Sequence, residues 1–342
     1  MTPRELEDVC TQWMAAMKCG DFEAAWRQTD RIELERRALV ATRPLVRRDE
    51  YLSWNGRAFD RQRVLVRCTH GLGDTIQFVR YVPLLRQRAK SVCVLVQPQL
   101  LPLFRSTSDF GDVRNGWTDA APPGHDVEIE VMELPYAFRS TSETIPSAVP
   151  YLPLASVTRY ADLPERFDAT TEFKVGLLWA ASDWDKTRSI SLDALAPLAA
   201  LPQVKFYSLQ QGPEAEEWNG ARFPLEPLHR YTQEIAAAAA AMCKLDLVIT
   251  VDSMAAHLAG ALARPVWVLL QHEADWRWMV GRADSPWYPT MRLFRQGEPG
   301  DWKGVVEKLV AELASVVSCR RRSSVRPERN ALKSKGEQLG AR

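Results

Sequence analysis

Between residues 174 and 270 the sequence repeats one two-part unit, reading KVGLLWA, SLDALAPLAAL, KFYSLQ, EIAAAAAAMCK, LDLVITV, MAAHLAGALA and PVWVLL. Short runs of Val, Ile and Leu alternate with small-residue stretches at helical spacing, the pattern of a parallel sheet covered on both faces by helices. A shorter series of the same kind precedes it: RVLVRC, a helix predicted from Asp74, SVCVLVQ and a helix near 99–105. Residues 110–153, rich in Pro, Gly, Ser and Thr, read as loops with one short strand, VEIEVME. The polar stretch VTRYADLPERFDATTEF reads as the linker between the two series.

Two such series in 342 residues exceed what one core usually holds, so two domains are expected. The predicted division is a helical hairpin at 1–50, a first α/β domain at 51–168, a second at 169–318 and a basic tail at 319–342. Residues 5–40 are periodic at helical spacing, with Gly20 and Asp21 as the turn. The run Gly20, Asp21, Phe22 and Ala25 resembles the joint of a tetratricopeptide repeat. A single unit cannot bury its own face, so it is a docked remnant, the end of an array or an ordinary hairpin. The last amphipathic stretch, DWKGVVEKLVAELASVVS, carries Val305, Leu309, Leu313 and Val316 on one stripe.

The net charge is +1, but the 23 residues 320–342 hold eight basic and two acidic side chains, leaving the rest at −5. Such a body does not offer the clustered basic face of a nucleic-acid binder. The tail reads as a solvated, disordered end, with weak peripheral contact to an anionic membrane face as the functional alternative. Six dispersed cysteines contain no CxxC pair, so neither a zinc knuckle nor a dithiol motif is predicted. The opening MTPRELEDVC lacks a basic segment followed by an apolar core, and the apolar stretch 235–251 is broken by Lys244 and Asp246. These features predict a soluble cytoplasmic protein.

Three turns at strand ends carry the chemistry. HGLGDTIQFVRYVP places His70, Gly71, Gly73 and Asp74 at the carboxyl edge of the first sheet, where open α/β sheets put their sites. It is no dinucleotide fingerprint: Ile76 stands where a third glycine belongs, and Asp74 would repel a pyrophosphate. Asp74 is therefore either a helix cap or a general base. In WAASDWDKTRSIS, Lys186 and Arg188 are candidate anion contacts. Asp183 and Asp185 spell DxD, a metal-holding spacing made unnecessary by the adjacent basic pair, so no metal is predicted. In LDLVITVDSMAAHLAGAL, the start of the helix and the Ser253 hydroxyl form a diphosphate cradle, with Asp252 orienting the loop and His257 one turn inside. Farther on, Trp276, Trp278, Trp287 and Tyr288 are interleaved with Arg277 and Arg282; Trp278 reads as core, while Trp287 fits either core or a stacking platform.

Together GLGDTIQFVRYVPLL, KVGLLWA with KTRSISL, LDLVITVDSMAAHLAGAL with PVWVLL, and DWRW with DSPWYPTMRLFRQ resemble the ADP-heptose:lipopolysaccharide heptosyltransferase family, glycosyltransferase family 9, in the branch linked to tetratricopeptide repeats. The resemblance covers roughly residues 50–315. It implies an α/β fold of two Rossmann-like domains facing a cleft, the GT-B type, with the acceptor on the first domain and a nucleoside-diphosphate sugar on the second. It further implies metal-independent inverting transfer of a sugar, heptose among the candidates, to a glycan, glycolipid or protein acceptor, with no cofactor. In that scheme Asp74 matches the base, Lys186 the lysine near the donor phosphates, and Ser253 and His257 the phosphate-binding turn. Glu216 matches the acid that accepts from ribose hydroxyls. The family's Asp-Thr-Gly-Pro-Met-His turn is here Asp252-Ser253-Met254-Ala255-Ala256-His257. The competing reading is a catalytically inactive binding or scaffold protein that keeps the fold.

Overall fold

The computed structural model describes residues 1–42, 54, 56–152, 167, 170–182, 185–219 and 224–325. Helix α1 (Pro3–Cys19) starts with a reciprocal cap between Thr2 and Glu5 and ends at Gly20, whose φ of 77° is the left-handed conformation that glycine adopts without strain. The chain reverses there into α2 (Phe22–Thr42), so the predicted hairpin and its turn are present.

The first sheet is fully parallel, in the order β3-β2-β1-β4, from β1 (Arg63–Arg67), β2 (Ser91–Val96), β3 (Asp112–Asn115) and β4 (Val127–Glu130). Helices α3 (Leu72–Phe78) and α4 (Val82–Arg88) follow β1. The second sheet, also parallel, has the order β10-β9-β8-β5-β6-β7. Its strands are β5 (Phe173–Leu178), β6 (Val204–Ser208), β7 (Leu225–Glu226), β8 (Leu247–Val251), β9 (Val266–Leu270) and β10 (Met291–Arg295). Around it lie α5 (Ile235–Lys244), α6 (Met254–Ala261) and α7 (Trp302–Val325).

Three local expectations change. SLDALAPLAAL winds as a 3₁₀ helix over Leu192–Ala200, because Pro197 lacks the N–H that an α ladder needs there. The MRLFR run, read with the tryptophan-rich stretch, is the edge strand β10, its alternation masked by Arg292 and Arg295. The final helix does not stop at 318: α7 continues to Val325, and Arg320 pairs with Asp246 at 2.8 Å and covers the Phe173 ring. Residues 326–342 of the predicted tail and most of the predicted linker lie outside the described residues.

Strand periodicity sends alternate side chains to different cores. In β8 and β9, Leu247, Ile249, Val251, Trp267 and Leu269 face α7, meeting Val305, Leu309 and Leu313. Val248, Val266, Val268 and Leu270 face the other way, into a core that also contains Val64 and Val66 of β1. That core passes through α3 and α6, which pack on one another, so the two sheets share apolar interior across the seam.

The hairpin straps this seam. From α2, the Trp26 indole donates to the Ser140 carbonyl (2.7 Å), and Asp30 accepts from Tyr136 and Arg139, each at 2.6 Å. From α1, Lys18 pairs with Glu273 (2.6 Å), its carbonyl accepts from the Val280 N–H (2.8 Å), and Trp13 meets Trp276 edge-on.

Loops at the carboxyl edges are held by buried glutamines from the neighbouring strand. Gln97, just after β2, donates to the His70 carbonyl (2.8 Å) and accepts from Thr75 (3.0 Å), fixing the loop after β1. Gln210, after β6, accepts from the N–H groups of Trp179 and Ala180 and donates to the Ala180 and Gln211 carbonyls, fixing the loop after β5. Gln296, after β10, accepts from the N–H groups of His272, beyond β9, and of Gly300 on its own loop. On the other side of the first loop, Glu130 accepts from the Thr69 N–H and hydroxyl.

Candidate active site

A cleft of about 1050 Å³ opens between the two carboxyl edges, lined on one side by Gly71, Gly73 and Asp74 and on the other by Arg188, Gln210, Asp252, Ser253 and His257. Met14 and Lys18 of the hairpin also line it.

Asp74 stands at the third position of α3, not at its cap. Gly71 is the cap residue, and Asp74 Oδ2 reaches back to accept its N–H at 3.0 Å. A Cβ at position 71 would sit 2.9 Å from that oxygen, so the contact depends on glycine. Oδ1 pairs with Arg277, which also holds Asp275 at 2.9 Å and lies over the rings of Phe78 and Trp276. Asp74 thus presents to the cleft a carboxylate whose orientation is set from both lobes.

Gly73 lets the lobes meet. A Cβ there would fall 3.0 Å from His257 Cδ2 and 3.3 Å from Met254 Cα, so the N-terminal ends of α3 and α6 touch at this point. Ser253, the residue before α6, does not cap it; its hydroxyl lies 3.0 Å from that of Thr250. The Met254 and Ala255 N–H groups have no acceptor among the described residues, so the positive end of the helix is left to the cleft.

Arg188 donates to the Asp252 carbonyl (3.2 Å) and lies 3.8 Å from the Asp185 carboxylate, which brings a guanidinium beside the α6 turn. Lys186 is exposed and does not line the cleft. Glu216 is likewise exposed and outside it; Glu214 of the same turn lines it instead, and Glu217 accepts from the Trp179 indole at 3.0 Å. His70 lies outside the lining, its carbonyl serving the loop through Gln97. Of the DxD pair, Asp183 lies outside the described residues, and Asp185 accepts from Thr187 (3.0 Å) and Gln271 (3.2 Å). Among the described residues no group of three or more His, Cys, Asp or Glu side chains is placed to hold a metal ion. Trp278 and Trp287 are both fully buried, so Trp287 is core.

Asp252 is buried, and that burial, with the Asp275 carboxylate adding, pushes its carboxyl up to about 6 against the opposing charges of Arg188 and Arg277. Its ionised form therefore weakens the fold. Below about pH 4 the group is protonated whether folded or not; from about pH 4 to 6 the unfolded chain ionises first, so stability falls through that window and stays lower above it. Asp252→Asn is expected to be more stable than wild type at neutral pH by on the order of 3 kcal/mol and equal to it near pH 4. Denaturant unfolding at the two pH values checks this.

The two parallel sheets and the cleft at the facing carboxyl edges define a two-lobed α/β protein with a GT-B-type fold. Solved structures share the fold, two of them as follows. A glycosyl transferase family 9 protein from Veillonella parvula DSM 2008 superposes with a TM-score of 0.56 at 13% identity, over 76% of this chain and 98% of that one. The E. coli ADP-heptose LPS heptosyltransferase II gives a TM-score of 0.55 at 12% identity, over 76% and 99%. In sequence, Protein FlbA of Caulobacter vibrioides is 26% identical over 290 residues, 76% of this chain and 48% of FlbA; the chain spans about half the length of that relative. No protein-family model matches the chain. Among the described residues no helix is long and apolar enough to cross a membrane.

Proposed function

We propose that the chain is an inverting glycosyltransferase of family 9 that moves a sugar from a nucleoside diphosphate to an acceptor hydroxyl. The observation that carries this reading is the meeting, at Gly73, of a carboxylate-bearing helix start from one lobe and an unsatisfied helix N-terminus from the other. Asp74 takes the proton of the acceptor hydroxyl as its oxygen attacks the anomeric carbon. The bond from that carbon to the phosphate oxygen breaks on the opposite face, inverting the centre, and its electron pair leaves with the diphosphate. The Met254 and Ala255 N–H groups and Arg188 meet that charge, and donors aimed at developing charge favour the transition state over the ground state. Asp252, beneath the turn, orients it. Positive charge from Arg188 and the helix end takes the place of a metal, and Asp183 and Asp185 are not ligands.

Heptose is one donor to test, as the name of the E. coli neighbour suggests, and the acceptor is a glycan, glycolipid or protein. Thermal shift against a panel of nucleotide sugars, including ADP-heptose and UDP-glucose, should show one stabilising donor, growing as RT ln(1 + [L]/Kd). Transfer is then assayed in EDTA. Stabilisation without transfer to any acceptor would favour the scaffold reading; activity lost in EDTA and restored by Mn²⁺ would revive the metal reading of Asp183 and Asp185.

Arg188→Ala is expected to weaken nucleoside-diphosphate binding by about 10- to 100-fold, the value of a charge-assisted contact. Lys186→Ala, which alters an exposed side chain off the cleft, should weaken it by less than about threefold. Calorimetry on both variants checks the assignment.

A further inference from the structure

His257 is buried at the margin of the cleft. Its ring stacks on Trp278 at 5.3 Å with planes 19° apart, and its Nδ1 lies 3.1 Å from the Tyr288 hydroxyl. A Cβ on Gly73 would come 3.0 Å from Cδ2 and 3.7 Å from Nε2, so that edge of the ring lies against Gly73, and both residues line the cleft.

The hydrogen in the Nδ1 contact can be assigned by following the chain of partners. The Tyr151 hydroxyl lies 2.9 Å from the Ile76 carbonyl, which can only accept, so the Tyr151 hydrogen is committed there. The same oxygen receives an N–H from Arg80 at 2.9 Å. Tyr288 then has two neighbours that could take its hydrogen, Tyr151 at 3.4 Å and His257 Nδ1 at 3.1 Å, and 3.4 Å is long for a hydroxyl pair. Its hydrogen goes to Nδ1, and a neutral imidazole that accepts there carries its own hydrogen on Nε2. Burial first, then the charges of Arg277 and Arg80, hold the imidazole well below its ordinary range, so it stays neutral.

Arg80 anchors the chain of partners. It is buried, and among the described residues no carboxylate pairs with it. It donates instead to the carbonyls of Trp287 and Gln77 and lies over the rings of Tyr288 (4.3 Å) and Tyr151 (4.7 Å). This places a fixed positive charge under both tyrosines, oriented so that Tyr151 accepts on that side.

We propose that Arg80, Tyr151 and Tyr288 are positioning residues that fix His257 as the Nε2–H tautomer, so that its ring enters the cleft as a hydrogen-bond donor to an anionic oxygen and not as a base. That the oxygen belongs to a diphosphate rests on the glycosyl-transfer reading; the tautomer does not.

Nitrogen-15 NMR of the full chain with labelled histidine tests both parts. The sequence has five histidines, and His257→Gln assigns the one at issue. The Nε2–H pattern is expected in wild type, unchanged from about pH 5.5 to 8. Tyr288→Phe, which keeps the ring and removes the hydroxyl, should give mixed tautomers. An Nδ1–H pattern in wild type, or ordinary imidazole titration, overturns the proposal whether or not any variant folds. The second readout is calorimetry with ADP and UDP. A glutamine amide can stand near Nε2 and an asparagine amide only near Nδ1, so His257→Gln should bind within about threefold of wild type and His257→Asn at least about tenfold more weakly. Equal binding by the two variants overturns the donor role. If neither nucleotide binds wild type, the glycosyl-transfer reading fails, while the tautomer measurement still decides the positioning claim.

Discussion

Asp74→Asn is expected to lower the rate of sugar transfer by about 10²- to 10⁴-fold, the range for loss of a positioned general base, with nucleoside-diphosphate affinity within a few-fold of wild type. Asparagine keeps an oxygen for the Gly71 N–H, so the start of α3 and its contact with α6 survive. What is lost is an oxygen able to take a proton, along with the charge that faces Arg277. Single-turnover transfer measured beside calorimetry of the nucleotide separates the two effects. Parallel loss of affinity and rate would show that the residue shapes the cleft; an unchanged rate would remove it from the chemistry.

The second large effect concerns stability. Trp287→Ala should cost about 3–5 kcal/mol, the usual range for removing a buried tryptophan. Three parts of the molecule converge on this ring: Phe22 of the hairpin at 6.2 Å, Phe78 of α3 at 5.6 Å and Trp276 of the second lobe at 6.2 Å. Its indole donates to the Arg277 carbonyl, so the residue that faces Asp74 loses support as well. Denaturant unfolding gives the size of the effect. A change below about 1 kcal/mol would mean that the seam repacks around the gap.

Much of the fold was legible because β-branched runs, small-residue helices and glycine turns leave local marks in sequence. The α3 and α6 turns could be found in the same way, since each directly follows an apolar strand. Arg277 could not: it was seen among the tryptophans, but the partner that gives it meaning is 203 positions away. Lys186 and Arg188 looked equivalent in sequence. They lie on one 3₁₀ turn, where residues two apart point to different sides, and the cleft takes Arg188. The same geometry on the turn Pro213–Asn219 puts Glu214 in the lining and leaves Glu216 outside. The hairpin's role stayed open between a docked remnant, the end of an array and an ordinary hairpin, because its periodicity shows a buried stripe and not what the stripe rests on. Its bonds to Ser140, Glu273 and Val280 depend on both lobes being folded.

The glutamines that hold the carboxyl-edge loops have one further consequence. Gln97, Gln210 and Gln296 do the bracing with amides, which neither ionise nor draw counterions. These three braces are in that sense electrically silent, unlike Glu130 on the other side of the first loop. Acidity and ionic strength can alter the groups that face a ligand, but they leave these three amide contacts unchanged. Any drift of the turns with pH would then trace to the carboxylates beside them, Asp252 first, and not to the glutamines.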